Sequence, residues 1–219
     1  MLLLATPLAA NAERMPAAFD GVEEGRNFVG LLEFPDTSGD VSVMMLCASQ
    51  VEPSGKMTET GCMVRNNLEA AFGIAIQKAV KKARMTPASI EGKRYKIYLQ
   101  FRVEFIKEGD DKRIFVYSNP GDAENIDAYG KDFIAGQRVI GKERWMKVCP
   151  ARADFGITAR AHLGADGVAS SVSLSHGYGI VPTGSCQQAI IQTIESSLYT
   201  PAMAGGEAVP SAFVEPFGN

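Results

Sequence analysis

Residues 83–106 read ARMTPASIEGKRYKIYLQFRVEFI, and their pattern decides the fold. From Tyr95 to Phe105 the odd positions are Tyr95, Ile97, Leu99, Phe101, Val103 and Phe105, and the even ones are Lys96, Tyr98, Gln100, Arg102 and Glu104. Alternation sustained this long is the period of a strand with one buried and one wet face. Thr86-Pro87-Ala88 breaks the chain before it, since proline cannot continue a helix, and Glu91-Gly92 supplies a turn. Upstream, Leu68, Phe72, Ile76, Val80 and Ala83 recur at helical spacing, with Lys78, Lys81 and Lys82 off that stripe. The spacing predicts an amphipathic helix over 68–84, capped by Asn66 or Asn67. Its basic last turn suits the helix dipole, so the lysines read as a solvated helix end.

Working outward, Val41 to Val51 and Met57 to Val64 read as a hairpin around a two-residue Ser54-Gly55 turn. A turn that pairs Pro53 with Lys56 also sets Cys47 opposite Cys62. Opposed positions on neighbouring strands come close enough for a disulfide. A loop of this size contributes about 3 kcal/mol by the chain-entropy account. Cys149 and Cys186 are then left for each other, the alternative being four buried thiols. Arg26 to Phe34 reads as a short strand ended by Pro35. Residues 107–148 are less regular. Ile114 to Tyr117 fits a strand, and Asp122 a helix cap. Ala123 to Val139 fits a weak helix, with Gly130 and Gly136 against it. Trp145, the only tryptophan, reads as core or inter-domain packing.

From Phe155 the first pattern returns. Gly156 to Leu163, the turn Ala165-Asp166-Gly167 and Val168 to Ser175 repeat the hairpin, and Gly177 to Ser185 reads as a loop. A helix over 187–198, with Ser185 as possible cap, places Ile190, Ile194 and Leu198 on one side. Tyr199-Thr200-Pro201-Ala202-Met203 then matches Met85-Thr86-Pro87-Ala88-Ser89, 114 positions on, and Gly206 matches Gly92 at the same offset. The Asp166-Gly167 turn follows Ser54-Gly55 by 112. Strand, turn, strand, helix, TPA, turn, strand occurs twice, which is an internal duplication of a small α+β unit.

Composition sets the broad class. The net charge of −3 offers no basic field for nucleic acid and no polybasic run for anionic lipid. MLLLATPLAANA reads as a secretory signal over 1–12, with Ala10-Asn11-Ala12 as the cleavage pattern. Its apolar run is shorter than the roughly 20 residues a membrane helix needs, and no other segment could span. An exported protein fits the cysteine usage.

The quoted motifs resemble the C-terminal domain of TonB-type energy transducers. In the first copy these are Ala83-Arg84-Met85-Thr86-Pro87-Ala88, Glu91-Gly92-Lys93 and the strand end Arg102-Val103-Glu104-Phe105. In the second they are Ala165-Asp166-Gly167, Ser197-Leu198-Tyr199-Thr200-Pro201-Ala202 and Gly206-Glu207-Ala208-Val209-Pro210. The resemblance implies two modules, over 26–107 and 149–219, joined by a partly structured connector at 108–148. Each would be an antiparallel sheet of about three strands with a packed amphipathic helix. It also implies strand addition, in which a peptide from an outer-membrane receptor or transport component pairs with a free sheet edge. The expected edge is the long strand of the first copy, with Arg94, Lys96, Tyr98, Gln100 and Arg102 as contacts. In the second copy the last strand carries Pro210 and Pro216, which lack the N–H a ladder uses. The transducers' membrane helix and proline-rich spacer are not read here, and Thr stands where they usually have Lys before the PA step.

No motif carries chemistry. Gly177-Tyr178-Gly179 lacks the rest of a nucleotide fingerprint, and Ser175-His176 lacks a GxSxG elbow and an acid partner. With no CxxC spacing and only His162 and His176 to assist, no metal or cofactor is expected. Asp110-Asp111 and Glu23-Glu24 read as solvated loop charges. The expectation is a non-catalytic periplasmic protein that binds an envelope partner. A structural protein that hides both edges is the alternative, and an enzyme with an unrecognised site a third.

Overall fold

A computed structural model describes residues 14–130, 133–141, 143–149 and 154–218. The signal segment expected over 1–12 lies outside the described residues. The chain opens with β1 (Arg14–Met15), the one-turn helix α1 (Phe28–Leu31) and the hairpin β2 (Val41–Val51) and β3 (Met57–Cys62). Then come α2 (Asn67–Lys82), the short hairpin β4 (Ser89–Ile90) and β5 (Lys93–Arg94), and the long β6 (Ile97–Glu108). β7 (Asp111–Ser118) and α3 (Ala123–Tyr129) follow. The course then restarts with β8 (Gln137–Val139), the one-turn α4 (Trp145–Val148), and the hairpin β9 (Phe155–Leu163) and β10 (Ala169–Gly179). It closes with α5 (Gly184–Ser196), β11 (Tyr199–Thr200), β12 (Ala202–Ala204), β13 (Glu207–Val209) and β14 (Ser211–Gly218). The fold is α+β, built of small antiparallel sheets with helices packed on them.

The duplication is visible in backbone detail. β6 pairs β2 with Ile97 opposite Val51, and β14 pairs β9 with Ser211 opposite Leu163. Ser211 stands 114 positions after Ile97 and Leu163 112 after Val51, the offsets seen in the sequence. Glu59 and Ser171, also 112 apart, are bulges with φ of +49° and +54°. Gly55 and Gly167 take φ of +79° and +74° in the hairpin turns. A Cβ on Gly55 would stand 2.1 Å from the Met85 carbonyl oxygen, and one on Gly167 2.7 Å from that of Tyr199. Only glycine fits where the turn meets the segment leaving the helix. The repeats also begin earlier than the motifs suggested. Ala18 bridges Thr86, and Gln137 pairs with Thr200, 114 positions after Thr86. Each repeat therefore starts with a short strap laid across its Thr-Pro-Ala segment.

Each repeat has its own core. In the first, Phe72, Ile76 and Val80 of α2 cover Phe101, Val103 and Phe105 of β6, so the helical and strand stripes face each other. Phe34, Phe72 and Phe105 form one ring cluster, and Phe19, Phe28 and Phe101 another. In the second, Ile190 and Ile194 of α5 cover Phe155, Ile157, Phe213 and Phe217. Trp145 packs edge-on against Phe217 at 5.4 Å, as Phe28 does on Phe101 at 5.6 Å. Trp145 is thus half-buried against the core of the second repeat. Asn66 caps α2 by accepting from the Glu69 amide at 3.0 Å. Asp122 caps α3, its side chain accepting from the Glu124 amide at 3.1 Å.

Both disulfides form, Cys47–Cys62 across the first hairpin and Cys149–Cys186 tying α4 to the first turn of α5. The route to the first differs from expectation. Glu52 N donates to Lys56 O at 2.9 Å, so the loop is the three residues Pro53-Ser54-Gly55 rather than two. That slips the register by one, and the bulge at Glu59 restores it, so that Cys47 again faces Cys62. Four further expectations are corrected. Residues 28–31 form a helical turn instead of a strand, because the Asn27 side chain accepts from the Val29 amide at 2.9 Å. The helix over 123–139 stops at Gly130, whose φ of +78° ends it, and 137–139 are a strand. Thr183, not Ser185, caps α5, and β10 runs on to Gly179 through the expected loop.

Candidate functional site

The strand expected to offer a free edge lies in the middle of its sheet. β6 carries β2 along one side over 97–107. Along the other, β8 covers Ile97 and Tyr98, and β7 covers 101–108. The gaps are filled as well, with Lys96 O accepting from Ile140 N at 2.9 Å and Gln100 O from Asn119 N at 3.0 Å. The alternation matches the buried and wet faces of β6, but it carries no information on how many neighbours a strand has. The connector supplied those neighbours.

The five contact residues proposed from the sequence are not gathered for a partner. Arg94 is exposed but sits in β5, opposite Ser89 of β4. Lys96 pairs with Glu52 at 2.9 Å, and its hydrogen bond holds the Glu52 carboxyl below its ordinary pKa. Arg102 donates from Nε to Asn119 Oδ1 at 2.9 Å. Gln100 donates from Nε2 to Val214 O at 2.6 Å and accepts from Asn119 Nδ2 at 3.3 Å. Tyr98 lies opposite Arg138 of β8, and burial pushes its phenol pKa up. Tyr98 and Gln100 belong to a junction between the repeats.

That junction is the most elaborate polar site in the described residues. Val214 is the residue 114 positions after Gln100, so the closing strands of the two repeats meet at equivalent points, as around a twofold axis. Gln137 of the second strap bonds both the amide and the carbonyl of Ala17 in the first, at 2.6 and 2.8 Å. Arg14 donates to Tyr199 O at 3.0 Å. Asn125 of α3 accepts from Ala212 N at 2.9 Å and donates to Ala212 O at 2.7 Å, which takes up one residue of the outer edge of β14. At the centre Arg138 meets Glu215 through two bonds of 2.7 Å and Glu143 through one of 2.9 Å. The side chains of Arg138 and Glu215 are 5% and 4% exposed. Burial pushes the Glu215 carboxyl up while the Arg138 guanidinium pulls it down, and burial likewise raises the Tyr199 phenol. A bidentate guanidinium–carboxylate pair in which all three guanidinium nitrogens are bonded is a fixture of the junction.

His176 lies on exposed β10, its Nε2 3.2 Å from Ile180 O, and His162 is exposed on β9. No group of three or more His, Cys, Asp or Glu side chains that could hold a metal occurs among the described residues. No described helix is long and apolar enough to cross a membrane.

Four long strand edges remain without a ladder partner among the described residues, on β3, β7, β10 and β14. That of β14 meets Asn125 at Ala212 and Gln100 at Val214, and carries Pro216, which has no N–H. β3 is six residues long, is disulfide-bonded, carries Glu59 at its bulge, and has its Thr60 carbonyl taken by Gln77 Nε2 at 2.5 Å. β7 begins with Asp111, Lys112 and Arg113. Such charges are how native edges discourage pairing. β10 runs ASSVSLSHGYG, eleven residues without an acidic or basic side chain other than His176. No periodic signal in the sequence separates this edge from the others, since openness depends on what packs beside it. No protein-family model, no curated protein and no solved structure matches this chain.

Proposed function

We propose that this is a non-catalytic protein of the cell envelope, exported to the periplasm, that joins another polypeptide by strand addition at β10. The observation that carries the reading is the contrast between edges. The closing strands of both repeats are taken up by the junction, whereas β10 offers a row of backbone donors and acceptors with no charge to repel a pairing strand. Two disulfides fit folding in an oxidising compartment outside the cytoplasm. The resemblance to TonB-type transducers supplies the mode of binding, moved here to a different strand. A second reading, a purely structural envelope protein, is favoured by the covering of both closing strands.

Capture from envelope extract separates the two. Wild-type mature protein is compared with a Ser173→Glu/Ser175→Glu variant on β10 and an Arg94→Ala/Arg102→Ala variant around β6. The binding reading expects one captured chain, kept by the second variant and lost by the first. A captured chain that the folded β10 variant retains contradicts it. No capture by any of the three supports the structural reading.

A further inference from the structure

Resting on the reading of β10 as the open edge, we infer that the strand it pairs with is β10 of a second copy, giving a twofold antiparallel dimer. Of the four long edges among the described residues, β3 is guarded by Glu59, a disulfide and Gln77, β7 by its charges, and β14 by Asn125, Gln100 and Pro216, while β10 alone carries no acidic, lysine or arginine side chain. An edge that can only meet its own kind closes after two copies, whereas two open edges would grow a filament. Self-pairing also imposes a condition that other partners do not. With the axis at one residue, each position before it faces the position equally far after it on the second copy, so an edge whose charges share one sign would repel its own copy. β10 meets it, with Ser170, Ser171, Ser173 and Ser175 exposed and neither acidic nor lysine or arginine side chains along its length.

The geometry of the strand agrees. Its register against β9 is regular from Ser173 to His176 and shifts on either side, between Ser170 and Ser173 and between His176 and Tyr178. A twofold axis near Leu174 therefore falls on the straight part. It sets Ser173 opposite Ser175 of the second copy, a pairing of small hydroxyls that fits an antiparallel ladder. It also brings Val168, 57% exposed, level with Ile180 of the second copy, 52% exposed. Both lie six positions from Leu174, so the contact occurs twice and covers apolar surface at each end. The three-stranded sheet β10-β9-β14 would become six-stranded. The molecule already associates like with like once, since Gln100 meets its own repeat equivalent at Val214.

The test is sedimentation of the mature chain over a concentration series, with charge exchange as the control for folding. Wild type is expected to pass from monomer to dimer. Ser173→Glu/Ser175→Glu and Ser173→Lys/Ser175→Lys are each expected to stay monomeric where wild type is dimeric, and an equimolar mixture of the two to recover a one-to-one heterodimer. Recovery on mixing shows that both variants are folded and that the strands face each other. A wild type that stays monomeric throughout overturns the inference, and so does a dimer that survives in the separate variants. If that monomer still captures an envelope protein through β10, strand addition stands and only the second copy is excluded. If it captures nothing through β10, the wider reading fails with it.

Discussion

Position for position, β14 follows β6 by 114 residues, and the rows they bury differ in polarity at two places, of which one carries a charge. β6 buries Ile97, Leu99, Phe101 and Val103, while β14 buries Ser211, Phe213, Glu215 and Phe217. The carboxylate of Glu215 thus occupies the position of Phe101. A ring there packs against Phe19 and Phe28 of its own repeat. A buried carboxylate needs a cation, and Arg138 comes from β8, which pairs both with β11 of the second repeat and with β6 of the first. The exchange of a ring for a carboxylate at this position therefore makes the second repeat depend on the first. The first closes its sheet with apolar side chains; the second is closed by a bridge.

The contrast can be broken at its centre. Arg138→Met leaves Glu215 buried without its partner and is expected to cost about 3–5 kcal/mol in denaturant unfolding. The double variant Arg138→Met/Glu215→Leu, which makes the site apolar as in the first repeat, should recover most of that loss. Equal damage in the single and double variants would show that the ion pair is not what closes the second repeat. Next in size are the disulfides. Opening Cys149–Cys186, separated by 37 residues, should cost about 4 kcal/mol, against about 3 kcal/mol for Cys47–Cys62, separated by 15. Unfolding of the two double-serine variants checks the order. A third comparison uses the turn glycines. Gly55→Ala and Gly167→Ala each force a left-handed backbone on alanine, at about 1–3 kcal/mol. Gly55→Ala should be the worse, because its Cβ meets the Met85 carbonyl more closely than that of Gly167→Ala meets Tyr199. Smallest is the surface pair at Lys96, where Lys96→Ala should change stability by less than about 1 kcal/mol, as expected of a half-exposed ion pair.

The legible parts of the fold were those fixed by nearby residues. The stripe from Leu68 to Val80 specified α2, the alternation from Ile97 to Phe105 specified β6, and paired turn residues revealed the repeat. Cys47 and Cys62 were paired correctly although the turn was misjudged, because the Glu59 bulge cancels the extra loop residue. The straps could not be read. β1 and β8 are two and three residues long, too short for any period, and their partners lie far along the chain. The site was less legible still. Alternation told which face of β6 is buried and nothing about β7 and β8 beside it, so Tyr98 and Gln100 read as partner contacts when they are junction residues. The sequence around Glu215 carries no local mark of the arginine 77 residues away.

Amide hydrogen exchange, followed strand by strand at a dilution where the chain is monomeric, tests the central claim most directly. The account predicts the slowest exchange along β6 over 97–108, strong protection of the Ala212 amide held by Asn125, and fast exchange of alternate amides along β10. Slow exchange along all of β10 with fast alternate amides in β6 would contradict it, because β6 would then be the open edge and β10 the covered one.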